Sequence, residues 1–141
     1  KLELFEEEVK ARQIIGNRYT TELNKLGFWE TPFISSNNTS VFGQYTIQVD
    51  DRDKIIQRLR DKGIPTSIHY PSLMCDQDAL LEKLNPKKGF LKKIFSKKLF
   101  KSFQISNAQK VSKRVLSLPM HPNLSEDDQN LIIKSLIAVL N

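Results

Sequence analysis

Apolar side chains at Leu2, Phe5, Val9, Tyr19, Leu23 and Leu26 recur in alternating steps of three and four residues. The same ladder passes through Arg12 and Gly16, with Ile15 beside it. This spacing predicts a helix of about seven turns, roughly 37 Å long at 1.5 Å per residue, over residues 1–27. Gly27 is its natural stop. A one-sided helix of that length cannot bury its stripe alone, so it is expected to lie along another domain, another subunit or the rest of the chain. "FWETPFIS" at 28–35 leans towards β structure and leads into a polar loop, "SNNTS". "VFGQYTIQV" at 41–49 alternates and is rich in β-branched and aromatic residues, the pattern of a strand. Asp51 then opens a helix that turns Ile55, Ile56 and Leu59 inward and closes at Gly63. "IPTSIHY" at 64–70 is the next expected strand, giving strand–helix–strand at the spacing of a crossover unit. "NAQKVSKRVL" predicts a further helix and "LSLPMHP" a short strand and turn. "SEDDQNLIIKSLIAVL" begins on a capping box, Ser125 to Asp128, and buries Ile132, Ile133, Leu136, Ile137 and Leu140. The expected fold class is α+β: a long interdomain helix at 1–27, then a small domain at 28–141 of a small sheet layered with three helices.

The totals agree with one such domain. At 141 residues, 39% hydrophobic and 27% charged, the chain suits a globular protein with a real core. A single cysteine, Cys75, excludes an internal disulfide framework and fits a reducing compartment. No run of 18 apolar residues occurs, and the acidic amphipathic start "KLELFEEEVK" is unlike a secretory signal. The sequons at Asn37 and Asn38 therefore read as a polar loop, and the expected location is cytoplasmic. The net charge of +6 is local: "KKGFLKKIFSKKLFK" at 87–101 holds seven lysines and no acid, and the other basic residues number 15 against 16 acidic.

Few residues are placed for chemistry. His69, Cys75 and His121 are scattered, without the spacing a metal needs. Cys75 and His69 lack the oxyanion donors and orienting group of a nucleophile pair. The five glycines are isolated, so no phosphate loop is expected. In "SLPMHP", Leu118 and Met120 read as packing residues and His121-Pro122 as a turn. The informative triplet is His69-Tyr70-Pro71. At a strand exit Pro71 holds Tyr70 extended and ends the ladder, and strand ends are where sheets present ligand-binding side chains. Histidine and tyrosine together offer a donor, an acceptor and an aromatic face, suited to a phosphate or a sugar hydroxyl. The plainer reading, a tyrosine capping the core beside a satisfied surface histidine, is favoured on chemistry alone.

The order of motifs adds to this. "FGQYTIQVDDRDKIIQRLRDKGIPTSIHYP" followed by "NAQKVSKRVLSLPMHPNLSEDDQNLIIKSLIAVL" closely resembles the C-terminal part of the DegT/DnrJ/StrS family of pyridoxal-phosphate-dependent nucleotide-sugar aminotransferases. The resemblance runs from the first helix to the last residue, apart from the lysine-rich insert. It implies the small C-terminal domain of an aspartate-aminotransferase-like enzyme of fold type I, packed on a large domain that holds the cofactor. It also implies transfer of an amino group, commonly from glutamate, to a nucleotide-linked keto-sugar for a glycan or cell-envelope pathway. A homodimer with composite active sites is implied too. His69 and Tyr70 would be substrate contacts. Leu73 and Cys75 replace a proline and a second histidine that the family often carries after this triplet. The family's Schiff-base lysine, and the aspartate that pairs with the pyridine nitrogen, would lie upstream of Lys1. No catalytic, cofactor-binding or metal-binding residue is therefore expected in this chain, which is predicted to be inactive alone; "FSKK" at 95–98 is given no catalytic role.

The insert at 86–103 departs from the family. Phe90, Leu91, Ile94, Phe95 and Leu99 could form one helical face with lysines mostly elsewhere. The bland reading is a solvated excursion packed on its own domain. A weak membrane-surface contact through 87–101 is the alternative, at about 1 kcal/mol per lysine near an anionic bilayer. It would make the chain a non-enzymatic module for a membrane or another anionic partner. Nucleic-acid binding is not expected, since no arginine or recognisable module accompanies the patch.

Overall fold

The computed structural model describes residues 2–77 and 106–141, and the lysine-rich stretch at 87–101 lies outside them. The chain divides into two compact units, one of Lys1–His69 with Arg114–Asn141 and the other of Tyr70–Lys113.

In the first unit the helical ladder becomes α1, Leu2–Lys25, and Gly27 ends it at φ 82. Its C-terminal half turns Ile15, Tyr19 and Leu23 into the core, whereas Leu4, Phe5 and Ile14 stay exposed. Strand β1, Tyr45–Gln48, pairs antiparallel with β2, Val115–Leu118, in the register Tyr45↔Leu118, Thr46↔Ser117, Ile47↔Leu116 and Gln48↔Val115. Helix α2, Arg52–Asp61, packs Ile55 and Leu59 beneath the sheet. The last helix of this unit, Glu126–Leu140, contributes Ile132, Ile133, Leu136 and Val139. Ser125 caps it as the sequence predicts: its Oγ accepts from the Asp128 N–H at 3.1 Å and donates to Asp128 Oδ2 at 2.7 Å.

Three local expectations change. The segment 64–70 does not form a strand; it contributes one antiparallel bridge, Ser67↔Ser117, with Ser67 and Ser117 exchanging main-chain bonds of 3.1 and 2.8 Å. Because β1 and this bridge flank β2 from opposite sides, they run parallel to each other with β2 inserted between them. The expected strand–α2–strand unit therefore does not form; α2 instead joins β1 to an isolated bridge on the far side of β2. The 28–35 stretch forms no strand either, though the Glu30 carbonyl accepts from Gln48 N–H at 3.1 Å on the far edge of β1. Asp51 precedes α2 in the left-handed region without capping it, and its carboxylate pairs with Lys54 at 2.9 Å instead.

The strand at 41–49 shortens to Tyr45–Gln48 because Phe42 turns the chain at φ 41, a conformation that L residues adopt at a cost. Packing compels it. The Phe42 ring lies over Gly16 of α1, where a Cβ would come within 2.6 Å of its Cγ and Cδ2. Tyr45 continues the stack, its ring centroid 6.0 Å from Phe42 and 4.9 Å from Tyr19.

Among the described residues of the second unit, the 3-10 turn Met74–Asp76 follows Pro71, and Gln77 Nε2 donates to Ser72 Oγ at 2.7 Å. Helix α3, Ser106–Arg114, lies in this unit up to Lys113 and buries no side chain. The terminal helix Glu126–Leu140 is hereafter α4.

Two consequences are measurable. Gly16→Ala gains about 1 kcal/mol of helix propensity but overpacks Phe42 at a cost of roughly 1–3 kcal/mol, so a lower denaturant midpoint is expected. Burial pushes the Tyr45 phenol up to about 12, against the opposing hydrogen bond from Thr20, and burial together with Tyr45 also raises Tyr19. An unfolded phenol ionises near pH ~10, so above that the unfolded chain sheds protons that the fold retains, and stability falls as pH rises. Denaturant midpoints should drop between about pH 10 and 12, by up to ~1.4 kcal/mol per pH unit for Tyr45, and Tyr45→Phe should flatten that slope.

Candidate functional site

β2 has no exposed position: Val115, Leu116, Ser117 and Leu118 are all buried. A hydroxyl in such a strand must find partners, since leaving one unsatisfied costs about 1–3 kcal/mol. Ser117 finds two. Thr46 faces it across the ladder, Oγ1 to Oγ 2.8 Å, and His69 Nδ1 lies 2.9 Å from the same oxygen. The register explains the second contact. Side chains alternate along an extended chain, so residues 67 and 69 share a face, and Ser67 is the residue bridged to Ser117. His69 therefore arrives on the serine's side of the sheet.

His69 and Ser117 line a cleft of about 280 Å³, with Gly43, Gln44, Thr66, Ser67 and Met120 around it. Helix α1 pins one rim, because Tyr19 Oη donates to the Pro119 carbonyl at 3.1 Å and Arg12 to that of Met120 at 3.4 Å. The opposite rim, Gly43-Gln44, leaves the turn that Phe42 makes against Gly16. Whole small-molecule sites run to roughly 300–1,000 Å³, so this cleft suits one polar portion of a larger ligand, such as a phosphate or a sugar ring.

A larger cleft of about 490 Å³ lies at the other end of β1. Its charges are already engaged. Arg114 Nε sits 2.9 Å from Asp50 Oδ1, Lys54 pairs with Asp51, and Arg58 donates to the Val139 carbonyl at 3.0 Å. Arg58 ties α2 to α4, and Arg114 ties the end of α3 to the segment that follows β1, which is a structural role.

Among the residues expected to touch substrate, His69 is half-buried at the smaller cleft, whereas Tyr70, the first residue of the second unit, is exposed. His121 is exposed in the turn before α4, where its carbonyl accepts from Leu124 N–H at 3.2 Å. Ser117 and Thr46 were not singled out from the sequence. The available signal was one serine inside the otherwise apolar run Val115–Leu118. Among the described residues no group of three or more His, Cys, Asp or Glu side chains could hold a metal ion, and no helix is long and apolar enough to cross a membrane.

The described residues do not fit a Schiff-base cofactor. Such a lysine must shed its proton in a desolvated pocket, yet Lys10, Lys25, Lys54, Lys62, Lys110, Lys113 and Lys134 are all exposed.

An antiparallel strand pair with a third edge bridge, packed with a long helix and a capped terminal helix, is an arrangement shared with part of solved aminotransferase structures. The chain superposes on 33% of a DegT/DnrJ/EryC1/StrS aminotransferase from Brucella abortus, over 99% of its own length, with a TM-score of 0.74 and 29% identity. It belongs to the DegT/DnrJ/EryC1/StrS aminotransferase family, whose model matches residues 1–137. It is 33% identical over 136 residues to the UDP-2-acetamido-2-deoxy-3-oxo-D-glucuronate aminotransferase of Pseudomonas aeruginosa, covering 96% of this chain and 33% of that protein. It is 28% identical over 142 residues to the spore coat polysaccharide biosynthesis protein SpsC of Bacillus subtilis, again covering 96% of this chain and 33% of that protein. The chain thus spans about a third of the length of the relatives it matches.

Proposed function

We propose that the protein carrying this chain transfers an amino group, with glutamate as donor, to a nucleotide-linked keto-sugar, and that these residues supply part of its sugar-nucleotide site. The reading places the protein in the cytoplasm as a homodimer serving a glycan or cell-envelope pathway. The observation that carries it is the position of His69, fixed on Ser117 at a cleft large enough for one polar portion of such a substrate. An imidazole held there can donate to a phosphate or a sugar hydroxyl, orienting the substrate without taking part in bond making. Tyr70, the next residue, is the second proposed contact, supported by the resemblance of "GIPTSIHYP" to the family's substrate-contacting stretch. The amino relative from Pseudomonas aeruginosa is named for a UDP-linked 3-oxo sugar acid, which supports the substrate class.

Pyridoxal phosphate supplies the electron sink for amino transfer. The exposure of the described lysines supports placing its lysine outside the described residues, and the family resemblance supports a position upstream of Lys1. Borohydride reduction of the full-length enzyme followed by peptide mapping should label a lysine outside these 141 residues, and a label within them would contradict the reading. His69→Ala should raise KM for the nucleotide-sugar about tenfold or more with kcat little changed, the pattern of a lost uniform-binding contact. Tyr70→Phe should act in the same direction more weakly. An unchanged KM in His69→Ala would refute the proposed contact.

A further inference from the structure

We infer that Ser117 is a positioning residue for His69: with Thr46 it holds the imidazole in the neutral tautomer that carries its proton on Nε2. The inference rests on the reading of His69 as a substrate contact, and it deepens that reading by stating which nitrogen is the donor.

Three atoms form a chain, Thr46 Oγ1 to Ser117 Oγ at 2.8 Å and Ser117 Oγ to His69 Nδ1 at 2.9 Å. Ser117 has one proton to give, and two neighbours that could take it. The alternative chain has Nδ1–H donating to Ser117 and Ser117 to Thr46. Because an imidazole nitrogen is a far better acceptor than a hydroxyl oxygen, the chain with O–H···N is the stronger, so Thr46 donates to Ser117 and Ser117 donates to Nδ1. Donation in one direction also polarises each bond in favour of the next. With Nδ1 an acceptor, the ring proton sits on Nε2, and a neutral His69 is a donor there. If the ring takes up a second proton, both hydroxyls rotate. Nδ1–H then donates to Ser117, Ser117 donates to Thr46, and Nε2–H is kept. The pair thus preserves a donor at Nε2 in either charge state, which suits an oxygen-rich ligand such as a diphosphate or a sugar hydroxyl. Position strengthens the case. Ser117 is 4% exposed on a strand whose neighbours are all buried, so its hydroxyl has little freedom to choose other partners.

The test uses the full-length enzyme with isotopically labelled histidine, assigning His69 by the loss of its signals in His69→Gln. Imidazole shifts are read at a pH where the ring's own chemical shifts show it to be neutral. The wild type should favour Nε2–H over Nδ1–H by about tenfold, the worth of one ordinary hydrogen bond. Ser117→Ala should bring the two tautomers to within about threefold and raise KM for the nucleotide-sugar with kcat nearly constant. Ser117→Thr should restore both. Thr46→Val, which removes only the upstream donor at constant shape, should give an intermediate ratio, and it keeps the test decisive if Ser117→Ala fails to fold. A wild-type ring protonated on Nδ1, or a ratio indifferent to both substitutions, overturns the inference. If the ratio shifts while His69→Ala leaves KM unchanged, the positioning role stands and the reading of His69 as a substrate contact falls.

Discussion

A hydroxyl buried in the central strand is the constraint from which the site follows. β2 pairs with β1 on one side and with Ser67 on the other, and its four side chains are all covered. Val115, Leu116 and Leu118 meet that burial with apolar surface, whereas Ser117 must meet it with hydrogen bonds. Thr46 alone would satisfy its proton or one lone pair. The second contact, to His69, ties a cleft residue to the buried strand of the sheet.

The same economy of polar contacts holds the helices that frame the cleft. Gln129, 1% exposed on α4, donates from Nε2 to the Ile15 carbonyl at 2.7 Å and accepts from Arg18 at 2.8 Å, while Arg18 also reaches Asn130 at 2.7 Å. Next to Ile15, Gly16 admits the Phe42 ring, and one turn further Tyr19 reaches the Pro119 carbonyl at the cleft rim. One turn and a half of α1 therefore sets the position of α4, the turn before β1 and the exit of β2. The aromatic stack of Phe42, Tyr45 and Tyr19 fills the space between them, where offset rings add about 0.5–1.5 kcal/mol per pair beyond their burial.

How much of this was legible depended on whether the information was local. Although the Asp128 carboxylate accepts from the Ser125 hydroxyl, the Ser125 cap and the apolar stripe Ile132, Ile133 and Leu136 are written within one helix and form as read. So does the alternation of Tyr45 and Ile47. Phe42 could not be read, because its left-handed turn accompanies the packing of its ring on Gly16, a contact far away in sequence. The 64–70 segment has strand composition, yet it pairs through Ser67 alone, a matter of tertiary placement. For the site, the interest of His69 was visible from its neighbours Tyr70 and Pro71 and from the family resemblance. Its partner Ser117 was not, since a serine between leucines reads as an ordinary strand residue until the register of β1, β2 and Ser67 is known.

The chain belongs to the DegT/DnrJ/EryC1/StrS aminotransferase family and spans about a third of its relatives' length. The described residues form a small cleft lined by His69 and Ser117, with one rim held by α1. The most direct measurement is a crystal structure of the full-length enzyme with a nucleoside-diphosphate sugar bound. The account predicts the His69 ring on a phosphate or sugar oxygen through Nε2, with Nδ1 still resting on Ser117. A ligand bound without contact to His69, or a ring swung away from Ser117 to reach it, would contradict the account.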